Sequence, residues 1–237
     1  MISLLNRMML ISNFRRIFFA LVMGLLVSSC SSTNQAYYET LKLAFTQSDN
    51  TVSLEQIRQS RADLLGVKHG DRGQVIMALA FIEDNAYKWV SADHAILIMH
   101  HGLITHTHGF ENDSLYHQGQ GANPLASDVN SPVKWTYTTD IENYGYGLPV
   151  ETQWQRIGDT TLNILDHDFD VYLVEESVAY PQVTPYIEIN RRWTNRFWFS
   201  KENGELLKSE QQLSPVGDPL KMVYLSRAQR LIDEVAQ

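Results

Sequence analysis

The chain has 237 residues, of which 44% are hydrophobic, with 19 basic and 27 acidic side chains. This length is enough for one domain with its own core. The formal net charge of −8 argues against nucleic acid, and against anionic polysaccharide held by simple charge attraction. A single cysteine is present, so a disulfide within the chain is excluded.

The N-terminal stretch has the three zones of a bacterial export signal. Arg7, Arg15 and Arg16 are basic, and no acidic residue precedes Cys30. Residues 17–27 then form an apolar run of 11 residues, which suits the core of a signal peptide. A membrane-spanning helix needs about 20 apolar residues, so this run predicts export and removal.

The tetrapeptide Val27-Ser28-Ser29-Cys30 resembles the lipobox of bacterial lipoproteins. It predicts a signal peptide over residues 1–29, cleavage between Ser29 and Cys30, and lipidation of Cys30 with diacylglycerol and an acyl chain such as palmitate. Ser31 lacks the acidic character that resembles an inner-membrane retention signal, so we expect the periplasmic face of the outer membrane. The alternative is that Cys30 is a free thiol after an uncleaved anchor.

The mature chain is strongly acidic. Loss of the signal removes three arginines and no acidic residue, which leaves 16 basic and 27 acidic side chains and a net charge of −11. Residues 30–36 are predicted to be a lipidated polar tether, and residues 37–237 a single periplasmic all-β domain. Through the lipid anchor, the membrane is a predicted partner. Nucleic acid is not expected as a partner, and no cofactor is predicted.

Helix signals come first along the mature chain. Residues 35–46 are compatible with a helix, with Tyr38, Leu41 and Phe45 on one face. Ser53 to Gln56 is typical of a capping box, which predicts that a helix begins there. From Ala62 onward the apolar period changes from near 3.6 to 2, as in half-buried strands.

Alternating segments bounded by turn residues predict an antiparallel sheet. They cover 64–69, 74–82, 86–91, 94–100, 103–108, 133–139, 150–157, 161–166, 171–179, 192–200, 205–213 and 220–225. Turns are expected at 70–73, 92–93, 101–102, 158–159, 168–170 and 203–204, a long polar loop at 111–132, and a C-terminal helix at 227–235. About ten strands with short connections predict one sheet curled into a barrel or half-barrel, beside a short N-terminal helical segment.

Three segments resemble the YjbF/GfcB-type lipoproteins, the group 4 capsule polysaccharide lipoprotein family. Asn195 to Gln211 is similar to a pattern of Asn-x-aromatic-Trp, a charged turn ending in Gly, and Lys-Ser-x-Gln, with Pro215 shortly after. Trp89 to Asp93 is similar to Trp-x-Ser-x-Asp. Residues 102–110 are similar to Gly-x-Ile-x-x-Thr-x-Gly-Leu, with Phe110 in place of Leu.

The resemblance implies a periplasm-facing outer-membrane lipoprotein that is encoded with genes for capsule or exopolysaccharide production. No catalytic activity comes with the family. The leading hypothesis is therefore a non-enzymatic accessory in polysaccharide assembly or export, with polysaccharide or export-machinery proteins as partners. A carrier of a lipid or lipoprotein acyl chain in a half-barrel cavity is the first alternative.

A cluster of histidines raises a second alternative, a zinc hydrolase. Six of the eight lie within 24 residues: His94, His100, His101, His106, His108 and His117. His106 and His108 alternate, so both would project from one face of a strand. The sequence then continues Gly109-Phe110 without a carboxylate at the spacing of a metallo-β-lactamase-type site. We therefore predict no metal site.

The remaining acidic and histidine residues are better explained by structural positions than by catalytic roles. Asp166-His167-Asp168 suits a solvated turn, and Glu83-Asp84 and Glu175-Glu176 are expected to be exposed strand ends. There is no Gly-x-Ser-x-Gly elbow, no phosphate-binding glycine loop, and no cysteine beyond Cys30. No catalytic or cofactor-binding residue is predicted.

The aromatic residues in and near the family motif are compatible with two roles, a surface that stacks on sugar rings or part of the hydrophobic core. Phe197 and Phe199 share one face of a strand, and Trp198 takes the other, with Trp193 nearby. At least one face is therefore expected to be core.

Overall fold

The computed structural model describes residues 50–181 and 192–235. The predicted signal, Cys30, the tether, the helix over 35–46 and the start of the domain at residue 37 all lie outside this part of the chain. Helix α1 covers Leu54–Gln59 and begins at the predicted capping box, where Ser53 Oγ accepts from the Gln56 amide at 3.2 Å. Helix α2 covers Leu225–Val235. No helix within the described ranges is long and apolar enough to cross a membrane.

Twelve strands form the rest of the described fold. They are β1 Leu64–His69, β2 Val75–Glu83, β3 Ala86–Ser91, β4 Ile96–His100, β5 Leu103–His108, β6 Ser114–Gly119, β7 Val133–Ile141, β8 Gly145–Ile164, β9 His167–Ala179, β10 Arg192–Ser200, β11 Leu206–Gln211 and β12 Leu220–Val223. All pairings are antiparallel. The predicted all-β class is confirmed.

The sheet is nearly closed into a barrel. Its order runs β5-β4-β3-β2-β1-β12-β11-β10-β9-β8-β7-β6, so β5 and β6 are the two edge strands although they are adjacent in sequence. Side-chain hydrogen bonds join these edges. The Ser114 amide donates to Thr107 Oγ1 at 2.8 Å, and Ser114 Oγ donates to the Thr105 carbonyl at 3.3 Å. These contacts close the seam that backbone pairing leaves open.

Several strand predictions are confirmed to the residue. Strands β1, β3, β5 and β10 have the predicted bounds. The Asn203-Gly204 turn is confirmed in position but is longer than a two-residue hairpin. The Gly204 amide donates to the Ser200 carbonyl at 3.0 Å, and the loop between β10 and β11 spans residues 201–205. Gly204 has φ +74°, which a residue without a side chain adopts at low cost.

Three local predictions are wrong. The polar stretch 111–132 contains β6 and a 3₁₀ helix, Pro124–Ala126, because pairing with β7 outweighs weak strand propensity. Gly158 is not in a turn: β8 continues through it with a register shift between Arg156 and Gly158. The turn after β8 lies at residues 165–166, and the predicted turn residues 168–170 belong to β9.

Apolar side chains pack on both faces of the sheet. The larger cluster takes residues from strands all round the sheet and fills the interior, with Leu65, Met77, Leu97, Trp154, Phe197 and Met222 almost without exposed surface. A second cluster on the outer face includes Val171 and Leu207, and α2 covers it with Ala228 and Leu231. The amphipathic helix therefore shields the outer apolar patch of the sheet.

The aromatic strand follows the predicted alternation. Phe197 is fully buried in the interior and Phe199 packs against that cluster, while Trp198 belongs to the outer cluster beneath α2. Lys208 Nζ lies 4.5 Å from the centre of the Trp198 ring. Trp193 is half-buried, and its Nε1 donates to the Gln212 carbonyl at 2.8 Å. These aromatic side chains build core on both faces.

Candidate functional site

The histidines do not converge on a metal. His106 and His108 pair with Ile98 and Ile96 of β4, so they share one face as predicted. His108 Nδ1 lies 4.0 Å from Asp113 Oδ2, but that carboxylate accepts from the Gly109 amide at 2.8 Å. Within the described residues, no three His, Cys, Asp or Glu side chains could hold a metal ion. The absence of a metal site remains a prediction.

The acidic pairs have different environments. Asp168 lies at the start of β9, where Oδ1 accepts from Asn163 Nδ2 at 2.6 Å, and Glu83 is exposed and paired with Lys88. Glu175 pairs with Arg196 at 3.0 Å. The prediction of exposed strand ends is wrong for Glu175 and Glu176, because both residues lie within β9: Glu175 is half-buried, and the Glu176 side chain points into the barrel and has no exposed surface.

Glu176 is a buried acid with one satisfied oxygen. Its Oε2 accepts from Asn195 Nδ2 at 2.8 Å, whereas Oε1 has no partner among the described residues. Burial raises the pKa of Glu176 to about 8, and the hydrogen bond from Asn195 only partly opposes this shift. The carboxyl is therefore largely protonated at neutral pH. Burial raises the pKa of Tyr137 and Tyr180, and the negative charge of Glu176, once it is ionised, raises both further.

A cavity of about 240 Å³ opens at one end of the barrel, where the β4–β5 and β10–β11 turns meet α2. We call it the mouth pocket. Its lining includes Tyr87, Trp89, His101, Leu125, Tyr224 and Arg227. The β6–β7 loop lies over this end, held where Asn123 Nδ2 donates to the His100 carbonyl at 2.9 Å. Barrel mouths are common positions for small-molecule sites.

Two donors distinguish the mouth pocket. Trp89 is only 2% exposed, and its Nε1 has no hydrogen-bond partner among the described residues. Arg227 donates from Nη1 to the Leu206 carbonyl at 3.0 Å. No carboxylate of the described residues forms an ion pair with this guanidinium. The Tyr224 ring contacts both groups: its centre lies 6.1 Å from that of Trp89 and 4.3 Å from Arg227 Cζ.

Glycine and a short turn keep the mouth pocket open. Gly102 has φ +89°, and a Cβ built there would lie 2.4 Å from Leu206 Cδ2. Any side chain at this position would therefore clash with the pocket wall. Trp89 and Gly102 belong to the motifs noted in the sequence, but no local pattern marks Tyr87, Tyr224 or Arg227. These three come together only through the curvature of the sheet and the position of α2.

The residues of the Asn195–Gln211 motif make structural contacts. Asn195 Oδ1 accepts from the Gln212 amide at 2.8 Å. Gln211 has no exposed surface, and its Nε2 donates to the Gly102 carbonyl at 2.8 Å and to Ser209 Oγ at 3.1 Å. The motif therefore satisfies polar groups inside the barrel, where an unpaired one is costly.

The residues of the 102–110 motif close the seam. Thr107 Oγ1 donates to Asp113 Oδ1 at 2.7 Å, and the Phe110 amide donates to the same oxygen at 3.1 Å. Gly109 has φ +86° and begins the turn between the edge strands. The third motif is also local: the Ala95 amide donates to Ser91 Oγ at 2.9 Å and fixes the β3–β4 turn.

Residues 38–225 match the family model described as "Group 4 capsule polysaccharide lipoprotein gfcB, YjbF". The chain belongs to this family. The resemblance read from the motifs is thereby confirmed. Within the group 4 capsule lipoprotein family, the chain is 24% identical to the uncharacterized lipoprotein GfcB of Escherichia coli (strain K12), over 87% of this chain and 96% of that protein. It is 27% identical to the uncharacterized lipoprotein YjbF of the same strain, over 66% and 72%.

A solved structure shows the same fold. The crystal structure of the hypothetical lipoprotein YmcC from Escherichia coli (K12) aligns with a TM-score of 0.62 at 23% identity, over 78% of this chain and 93% of that one. This likeness concerns the nearly closed antiparallel barrel and its helices. In this member of the capsule lipoprotein family, Asn195 and Gln211 make hydrogen bonds inside that barrel, Thr107 lies at its seam, and Ser91 fixes one of its turns.

Proposed function

We propose that this protein is a non-enzymatic accessory lipoprotein of capsule or exopolysaccharide assembly or export. The observation that carries the proposal is membership of the group 4 capsule polysaccharide lipoprotein family over residues 38–225. The roles of the motif residues support it, since Asn195, Gln211 and Thr107 build the barrel instead of a reaction centre. The partners are the polysaccharide or proteins of the export machinery.

The proposed position is the periplasmic face of the outer membrane, with the lipid on Cys30 as the anchor. Support comes from the lipobox Val27 to Cys30 and from Ser31, which follows the cysteine. One acyl chain binds membranes only marginally, whereas two or more hold firmly. A triacylated cysteine would therefore keep the barrel at the membrane on the tether of residues 30–36.

The packed interior counts against the acyl-carrier alternative. Trp154, Phe197 and Met222 occupy the space that a chain would need, each with no exposed surface. The mouth pocket, at about 240 Å³, is below the range of about 300–1,000 Å³ that is usual for larger ligands. A site of this size suits one small polar ligand.

The function is tested with three strains that carry the wild-type gene, a deletion, or a form exported without Cys30. Surface polysaccharide is measured under conditions that induce the polymer. We expect the deletion to lower it with little change in growth, and the unanchored form to complement poorly even when abundant. Equal polymer in all three strains would overturn the proposal, and a general loss of outer-membrane lipoproteins in the deletion would favour the carrier.

The anchor is tested separately by intact-mass measurement of the purified protein. We expect cleavage after Ser29 and the added mass of a diacylglycerol and one acyl chain on Cys30. Cys30→Ser should leave an unprocessed precursor at the inner membrane. A mature protein with unmodified peptide mass would show that the anchor is wrong.

A further inference from the structure

We propose that the mouth pocket binds a single acidic sugar unit, with the carboxylate at Arg227 and the sugar ring against the neighbouring aromatic side chains. This inference rests on the proposed role in polysaccharide assembly or export and adds the chemical class of the ligand. It also places the contact with polysaccharide at one end of the barrel.

The first argument is the excess of donors. The Trp89 indole and the Arg227 guanidinium can donate hydrogen bonds but cannot accept them. Trp89 Nε1 lacks a partner among the described residues, and Arg227 makes one bond to a carbonyl without an ion pair there. A ligand that complements both groups must supply acceptors. A guanidinium selects a carboxylate or phosphate among acceptors, because the charge-assisted bond is about twice as strong.

The second argument is the aromatic wall. Tyr87, Trp89 and Tyr224 line the same cavity, and the Trp89 and Tyr224 rings meet edge to face at 75°. Aromatic side chains offer apolar surface with a polar tip, which suits a ligand that is apolar on one side and polar on the other. A sugar ring has C–H bonds on its faces and hydroxyls at its rim.

The third argument separates a sugar acid from a simple anion. Glu205 also lines the pocket, and its Oε2 accepts from Asn203 Nδ2 at 3.2 Å. This carboxylate repels every anion, but it also accepts hydrogen bonds from hydroxyl groups, which a sugar acid supplies and a simple anion does not. A ligand with a negative group at Arg227 and hydroxyls toward Glu205 satisfies both sides of the pocket.

The acidic surface does not contradict this assignment. A net charge of −11 for residues 30–237 gives no general attraction for a polyanion, and exposed charges are screened within about 8 Å at physiological salt. Arg227 acts at contact distance, in a half-buried position beside Tyr224. Binding is therefore expected to be weak, local and limited to one sugar unit.

The test uses the purified full-length protein in detergent micelles, with ¹⁵N-labelled indoles, at physiological salt. Methyl glucuronide and methyl glucoside are added separately; they differ in having a carboxylate or a hydroxymethyl group. We expect the glucuronide to shift the Trp89 indole signal saturably, while the indoles of Trp135, Trp154 and Trp198 stay in place. Its Kd should be roughly tenfold or more below that of the glucoside, as for a charged hydrogen bond.

Two variants locate the selectivity. Arg227→Gln should bring the glucuronide and the glucoside to similar Kd values. Arg230→Gln is the matched control, because Arg230 lies one turn further along α2 and pairs with Asp63 at 2.8 Å outside the pocket. The control should keep the wild-type preference.

Either of two results would overturn the assignment: no saturable shift of Trp89, or equal Kd values for the two sugars with the wild-type protein. The comparison of the sugars needs no variant, so a misfolded Arg227→Gln protein would not remove the test. If neither sugar binds selectively but the deletion strain has less surface polysaccharide, the assignment of the mouth pocket is rejected and the proposed function is kept. Selective binding with unchanged polysaccharide in that strain rejects the proposed function instead.

Discussion

The Gln211 side chain crosses the barrel interior to reach Ile104. Gln211 ends β11 and Ile104 lies on the edge strand β5, and these strands are not neighbours in the sheet. Gln211 Oε1 accepts from the Ile104 amide at 3.0 Å, while its Nε2 donates to the Gly102 carbonyl. The Gln211 side chain therefore supplies hydrogen bonds that a neighbouring strand would otherwise give to the edge strand β5. It also links this edge to β11 in the centre of the sheet.

Replacement of Gln211 should destabilise the barrel. Gln211→Leu leaves the Ile104 amide and the Gly102 carbonyl without the hydrogen bonds that Gln211 makes to them. Each unsatisfied buried group costs about 1–3 kcal/mol. We expect the free energy of unfolding to fall by about 2–5 kcal/mol in chemical denaturation. Gln153→Leu, an exposed position on β8, is the control and should change it by less than about 0.5 kcal/mol. A Gln211→Leu midpoint equal to wild type would mean that the cross-barrel bonds contribute nothing.

Gly204 should resist substitution for conformational reasons alone. It has φ +74°, and a Cβ built there meets no atom within 4 Å. Gly204→Val should therefore destabilise by about 1–2 kcal/mol through backbone strain without a clash. Gly204→Asn should cost less, because asparagine tolerates positive φ. Thermal or chemical unfolding of the two variants measures the difference, and an unchanged midpoint for the valine variant would contradict it.

Glu176 should make the barrel less stable as the pH rises. Its pKa is raised from an ordinary 4.5 to about 8, so between these values the folded protein holds a proton that the unfolded chain has lost. Stability is then greatest below about pH 4.5 and falls by up to about 1.4 kcal/mol per pH unit until about pH 8. His117 acts in the opposite direction, because burial lowers its pKa from 6.5 to about 4. The effect of Glu176 should therefore be clearest above pH 6.5.

The measurement is the free energy of unfolding between pH 6.5 and pH 8 for wild type and two variants. Glu176→Gln keeps the size of the side chain without the ionisation, so its stability should fall less steeply with pH. Glu175→Gln is the neighbouring control on the outer face, where Glu175 pairs with Arg196, and it should keep the wild-type slope. The same slope in Glu176→Gln would show that Glu176 does not titrate in this window.

Replacement of the histidines on β5 should not change the metal content of the protein. His106→Ala combined with His108→Ala should leave the zinc content of the purified protein and the surface polysaccharide unchanged, because no further ligand converges on them within the described residues. Elemental analysis after dialysis against a weak chelator measures the first quantity. Stoichiometric zinc in the wild type that is lost in the double variant would support the zinc-hydrolase alternative.

Local patterns determined much of the secondary structure. Alternation, together with the turn residues that bound it, placed β1, β3, β5 and β10 to the residue, and Ser53 with Gln56 marked the start of α1. These predictions succeed because side-chain alternation and capping depend on residues a few positions apart. The same local reasoning missed β6, which pairs with β7 at the edge of the described sheet and has a polar sequence.

By itself, then, the sequence determined the all-β class, the family resemblance and most strand positions, and it predicts an export signal and a lipobox that lie outside the described residues. Only the tertiary structure decided which polar side chains point inward. Glu175 and Glu176 are adjacent and chemically alike, yet one pairs with Arg196 and the other is buried against Asn195. The mouth pocket likewise needs Trp89 of β3 beside Tyr224 and Arg227, more than 130 positions away. Such contacts depend on how twelve strands curve around a shared interior, and this curvature is a property of the whole sheet.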